Sequence, residues 1–123
     1  MSPPFPFPRD VFELIYSVNS LHEWEDPIAL LRNAWEHLRE DGWIILNDLR
    51  RDSDPFITEY VIREMAADQT VEGRFRLQVF LRTLESAYTC EEATELLQAS
   101  GLSPFFVDAD EPMTLTIRIG KQR

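Results

Sequence analysis

Residues 11–18 read Val-Phe-Glu-Leu-Ile-Tyr-Ser-Val, with Glu13 the sole charge among them. β-Branched and aromatic side chains fit a pleated strand, and a nearly continuous apolar run offers no polar face to water. Such a strand belongs inside a sheet covered by helices on both sides, the setting of parallel strands. Arg9-Asp10 before it and Asn19-Ser20 after it end the run. This segment alone directs the chain to the α/β class.

The following segments agree. Asp26-Pro27 supplies a capping carboxylate and a proline at the first helical position, and Ile28, Leu31, Trp35 and Leu38 recur on one helical face. The spacing predicts a helix to residue 39, with Gly42 placed to take a left-handed conformation beyond its end. Trp43-Ile44-Ile45-Leu46 then predicts a second strand. Strand, helix and strand with short links form a right-handed parallel crossover. Residues 55–86 are helical in pattern, with Phe56, Ile57, Tyr60, Val61 and Met65 on one stripe, Phe75, Val79 and Leu84 further on, and Gly73 as the expected division. Thr89-Cys90-Glu91-Glu92 is a capping box; Ala93, Leu96 and Leu97 face inward and Gly101 stops that helix. Residues 105–107 and 113–119 flank an acidic turn and predict an antiparallel hairpin.

Composition narrows the function classes. At 123 residues, 44% hydrophobic and 28% charged, the chain fits one globular domain, with a Pro- and Phe-rich extended arm at residues 1–10. A net charge of −10 opposes affinity for nucleic acid or anionic membrane, which requires clustered Lys and Arg. Cys90 is the single cysteine, which excludes an intrachain disulfide and points to a reducing, cytoplasmic setting. Its place at a helix N-terminus would stabilise a thiolate somewhat, but no second cysteine lies nearby in sequence, so it is expected to be structural. No apolar run approaches the ~20 residues of a membrane span, and no signal-peptide layout is present. The acidic turn lacks the alternating ligands and central glycine of a calcium loop, and no metal site is expected. His37, on a helix flank, is expected at the surface.

Several stretches taken together resemble a known family: Pro6-Phe7-Pro8, Phe12-Glu13-Leu14-Ile15, Asn19-Ser20-Leu21-His22-Glu23-Trp24-Glu25-Asp26-Pro27, Leu38-Arg39-Glu40-Asp41-Gly42-Trp43, Ala87-Tyr88-Thr89 and Ala99-Ser100-Gly101-Leu102. In order and spacing the chain resembles the class I S-adenosylmethionine (SAM) methyltransferases grouped as type 11, which act on small molecules. The resemblance implies a partial Rossmann-like methyltransferase fold, the C-terminal half of the domain, with the fourth to seventh strands of a seven-stranded sheet. The glycine-rich turn and the acidic residue that grip the cofactor in such folds belong to the other half. Gly42, Gly73, Gly101 and Gly120 are too scattered to rebuild that turn. Leu38-Arg39-Glu40-Asp41-Gly42 departs from the family's usual leucine, lysine, proline, glycine, glycine turn.

The resemblance also implies that the strand Phe12–Val18 lies between the fifth and first strands, and the first is not in this sequence. An apolar strand left at an edge must be covered or recruit another strand. A partner is therefore expected: a separate chain carrying the N-terminal half, a second copy in a homo-oligomer, or the phenylalanine-rich arm folded back.

In open α/β sheets ligands sit beyond the C-terminal ends of the strands, here residues 17–24 and 47–51. By resemblance Ser17, Val18 and Asn19 would lie beside the methionine part of SAM, and His22, Trp24, Asp48 and Arg50 would face the acceptor. His22 is the candidate base, since imidazole titrates near neutral pH, although a histidine there can equally bond the backbone at a helix entry. Trp24 can stack on a substrate or staple the following helix. Asp48 and Arg50 can bind a polar acceptor or form an internal ion pair. Tyr88 can reach the acceptor or simply pack. Two functions follow: a methyltransferase subunit that binds SAM only with a partner chain, or a non-catalytic module that binds and regulates a partner. An inactive fragment is the third reading.

Overall fold

The computed structural model describes residues 12–18, 21–109 and 111–121; the side chain of His22 and the arm at 1–10 lie outside the described residues. In chain order the elements are β1 (Phe12–Val18), a short 3-10 turn (Leu21–Glu23), α1 (Pro27–Glu36), β2 (Leu38–Leu49), α2 (Pro55–Ala66), α3 (Val71–Ser86), α4 (Cys90–Ser100), β3 (Phe105–Asp108) and β4 (Thr114–Gly120). The sheet has four strands in the order β1-β2-β4-β3. β1 pairs parallel with β2, and β4 runs antiparallel to both β2 and β3. This is a partial Rossmann-like α/β sheet, with the parallel crossover and the C-terminal hairpin the sequence predicts.

Local chemistry sets the boundaries. Asp26 caps α1 by accepting a hydrogen bond from the Ala29 amide at 3.1 Å, with Pro27 at the first position. The helix ends at Glu36, earlier than the expected residue 39, and β2 begins at Leu38 rather than Trp43. Along β1 the partner jumps from Leu38, opposite Phe12, to Trp43, opposite Leu14, so residues 39–42 form an excursion within β2. It is Asp41, not Gly42, that takes the left-handed conformation, at φ 64°. Gly42 is required for close approach instead: a Cβ there would lie 2.8 Å from Leu38 Cγ and 2.9 Å from the Arg39 carbonyl oxygen.

Gly73 likewise does not divide the helical region. The break falls between Ala66 and Val71, where Thr70 caps α3 by accepting from the Gly73 amide at 3.0 Å and Asp68 accepts from the Thr70 amide and hydroxyl at 3.1 and 2.6 Å. Asp and Thr hold such turns because their side chains substitute for backbone partners. In α4 the capping box is present, and Gly101 ends the helix at φ 75°. Arg32 of α1 donates to the Ser100 carbonyl at 2.9 Å, tying the ends of α1 and α4 together.

The core lies on one side of the sheet. Ile44 and Leu46 of β2 and Leu115, Ile117 and Ile119 of β4 are fully buried against Leu31 and Ala34 of α1 and Ala93 and Leu97 of α4. Each such aliphatic side chain contributes about 1.5–3 kcal/mol. His37, expected at the surface, is buried at the end of α1 with Nδ1 2.8 Å from the Asn33 carbonyl oxygen.

The opposite face corrects the expectation that β1 is buried on both sides. Leu14, Tyr16 and Val18 alternate with the core-facing residues, and they are exposed together with Trp43 of β2 and Phe106 of β3. The reason is geometric: the described helices that pack on the sheet, α1 and α4, cover its other side, and β1 is the outer strand. The Trp43 and Phe106 rings are 6.3 Å apart and Arg118 lies 5.0 Å over Phe106, so the bare face is partly aromatic.

Candidate functional site

The C-terminal ends of β1 and β2 lie side by side, with Ser17 opposite Leu46 and Val18 opposite Asn47. Alternation puts half-buried Ser17 on the core face and Val18 on the bare face. Asn19 and the His22 side chain lie outside the described residues. Asp48 points to the core face at the end of β2 and is only 4% exposed. Its Oδ2 accepts the Leu21 amide at 2.9 Å, and Leu21 is itself in the core. Asp48 thereby clasps the segment after β1 to the end of β2. Trp24 packs on the same core, and its amide donates to the Leu21 carbonyl at 3.2 Å.

The Arg50 guanidinium reaches Asp52 Oδ1 at 3.1 Å and the Asp52 carbonyl oxygen at 2.9 Å, an internal ion pair with a partner the sequence did not single out. A parallel bridge joins Arg50 to Tyr88. Arg51 holds the adjoining loop, donating to the Ala87 carbonyl at 2.9 Å and to Glu92 Oε1 at 2.7 Å. Burial, and secondarily the Glu92 charge, raises the Tyr88 hydroxyl above its usual range. Cys90 also titrates high: burial and then Asp52 outweigh Arg50, so the expected stabilisation of its thiolate does not occur. Glu92 is shifted the other way, held below its ordinary value first by the Thr89 amide and then by Arg51.

Next to these strand ends lies an open cleft of about 460 Å³, lined by Glu23, Leu49, Met65, Phe75, Val79 and Phe80. Arg76 and Thr83 also line it. Arg76 is paired with Asp68 at 3.2 Å, and the Thr83 hydroxyl donates to the Val79 carbonyl at 2.8 Å. Leu49 lines the cleft, but its neighbours Asp48 and Arg50 do not, nor do Ser17, Val18, Trp24 and Tyr88. The wall from α3 was not picked out as a site from the sequence. Its signal was there in the helical stripe of Phe75 and Val79, for which the core has no use.

Among the described residues, the end of β1 offers one hydroxyl, Ser17, and one exposed apolar side chain, Val18. No group of three or more His, Cys, Asp or Glu that could hold a metal ion occurs among the described residues.

Residues 3–46 match the family described as methyltransferase domain. No curated protein matches the chain. Among solved structures, a SAM-dependent methyltransferase from Aquifex aeolicus is 13% identical with a TM-score of 0.64, over 95% of this chain and 50% of its own. The plantazolicin methyltransferase BpumL, solved with a monoazolic desmethylPZN analog and SAH, is 16% identical with a TM-score of 0.69, over 97% of this chain and 55% of its own. The plantazolicin methyltransferase BamL is 18% identical with a TM-score of 0.64, over 90% and 53%. The chain thus spans about half the length of the solved structures it matches. The methyltransferase-domain match at residues 3–46 and the likeness from β1 to β4 agree with the resemblance read in the sequence: the chain has the fold of part of these SAM-dependent methyltransferase structures.

Proposed function

We propose that this chain supplies the acceptor-side half of a SAM-dependent methyltransferase acting on a small molecule, with the SAM side completed by polypeptide beyond these 123 residues. The observation that carries this reading is the cleft at the C-terminal ends of the parallel strands, beside an outer strand whose second face is bare. Methyl transfer is an in-line displacement, and what it requires of a protein is mostly positioning. SAM would bring the electrophilic methyl group. Ser17, Val18 and Asn19 would border its methionine end, His22 is the candidate to take the acceptor's proton, and Trp24, Asp48, Arg50 and Tyr88, which do not line the cleft, would support the acceptor side from the adjoining strand ends and loop.

The missing grip on the cofactor supports a composite site. Neither a glycine-rich turn nor the acidic ribose-binding residue of such folds is found in these residues. The partner is the polypeptide that pairs with β1 and covers Leu14, Tyr16 and Trp43. It would be an N-terminal methyltransferase half, in the same longer protein or in a separate chain, or else a second copy in an oligomer. Among the described residues no helix is long and apolar enough to cross a membrane, and the lone half-buried cysteine fits a cytoplasmic setting.

Calorimetry with SAM tests this reading, first on the purified chain and then on the chain mixed with the protein that co-purifies with it from its native host. The expected result is binding in the mixture only. Tight binding by the chain alone contradicts the composite site. Absence of binding in both favours a regulatory module that docks on a partner without catalysis.

A further inference from the structure

We propose that the cleft between α3 and the end of β2 selects an uncharged aromatic small molecule. The inference rests on the acceptor-side reading and deepens it. The cleft walls are Leu49, Met65, Phe75, Val79 and Phe80. Phe75 is 66% and Val79 45% exposed, one turn apart on the face of α3 that lines the cleft. Exposed apolar groups clustered at a concave surface mark a place where another apolar body is to be seated. At about 460 Å³ the space falls within the range of small-molecule sites.

The polar groups decide what is refused. Among the described residues Arg76 is the sole cation lining the cleft, and its guanidinium is turned to Asp68 at 3.2 Å. Thr83 has committed its hydroxyl proton to the Val79 carbonyl. Glu23 places a negative charge at the rim, on a chain whose net charge is −10. A phosphate or carboxylate entering here would meet repulsion without a ready cation, and its desolvation would go uncompensated. A neutral ring loses nothing in the same place and gains contact with two phenylalanines and a methionine sulfur.

Saturation-transfer NMR on the purified chain, with 2-naphthol and glucose 6-phosphate as probes and no SAM present, tests the proposal. 2-Naphthol is expected to bind and glucose 6-phosphate is not. Val79→Glu, at an exposed helical position whose fold circular dichroism can verify, should weaken 2-naphthol by roughly tenfold or more, because it buries an unpaired carboxylate against the ring. Phe56→Ser, at an apolar and still more exposed position that does not line the cleft, should leave binding unchanged. Failure of 2-naphthol to bind, equal binding by Val79→Glu, equal loss in Phe56→Ser, or binding of glucose 6-phosphate each overturns the proposal. The measurement needs no cofactor, so aromatic binding without SAM binding in the mixture would sink the methyltransferase reading while leaving this one standing.

Discussion

Asp48 fixes the geometry of the strand ends through one hydrogen bond to the Leu21 amide, made across 27 residues of sequence. Asp48→Ala leaves that buried donor without its acceptor and should lower stability by about 1–3 kcal/mol in urea denaturation. Asp48→Asn, which keeps an acceptor oxygen, should recover part of the loss. Glu92 gives a pH dependence whose sign is definite. Its folded pKa is lowered below the ordinary 4.5, first by the Thr89 amide, so the unfolded chain takes up the proton first. The stabilisation is complete above that ordinary value and is lost as pH falls through the lower folded one. Glu92→Gln should flatten this part of the acid denaturation curve, and because Glu92 is largely solvated the change will be small. The sequence showed Asp48 as a polar residue at a strand end, and it showed the Thr89–Glu92 box outright, because capping is local. It could not show the bond from Asp48 to Leu21 or the burial of His37, which depend on how distant segments meet.

At the level of elements, the turn between α2 and α3 depends on Gly73 for space rather than for conformation. A Cβ there would sit 2.3 Å from Asp68 Cγ and 2.5 Å from the Asp68 carbonyl oxygen. Gly73→Ala should therefore destabilise by about 1–3 kcal/mol as the two helices are forced apart, and it should disturb the cleft they wall. Gly101→Ala meets no such contact, with Arg32 Nη2 the nearest atom at 4.0 Å, and should cost about 1–2 kcal/mol through its left-handed backbone alone. Thermal denaturation of the pair, repeated with Asp68→Ala, separates the two causes, since removing the Asp68 side chain relieves part of the Gly73 contact and none of the Gly101 strain. Both parallel strands, the crossover helix and the closing hairpin were legible because apolar patterning and caps act over a few residues. The start of β2 was not, because Leu38 serves both the helical stripe and the strand, and only pairing with Phe12 decides between them. The α3 wall of the cleft was visible as a stripe but not as a site, because its purpose appears only when the helix is set beside Leu49.

On the scale of the whole molecule, the sheet is covered by helices on one side and shows Leu14, Tyr16, Val18, Trp43 and Phe106 on the other. An apolar face of this kind beside an outer strand favours association. The chain alone should show concentration-dependent self-association in sedimentation velocity, and Tyr16→Lys, at a site 59% exposed, should suppress it without loss of fold. If Tyr16→Lys also abolishes SAM binding in the mixture with a partner, the same face serves both contacts. The arrangement of the last strand has its own effect. β4, the last described element in chain order, is seated between β2 and β3 and is the only described strand joining them. β3 precedes β4 in the chain yet has no other described strand to join, so on the ribosome it stays unpaired until residues 114–120 have emerged, and the β2–β4–β3 side of the sheet closes only then.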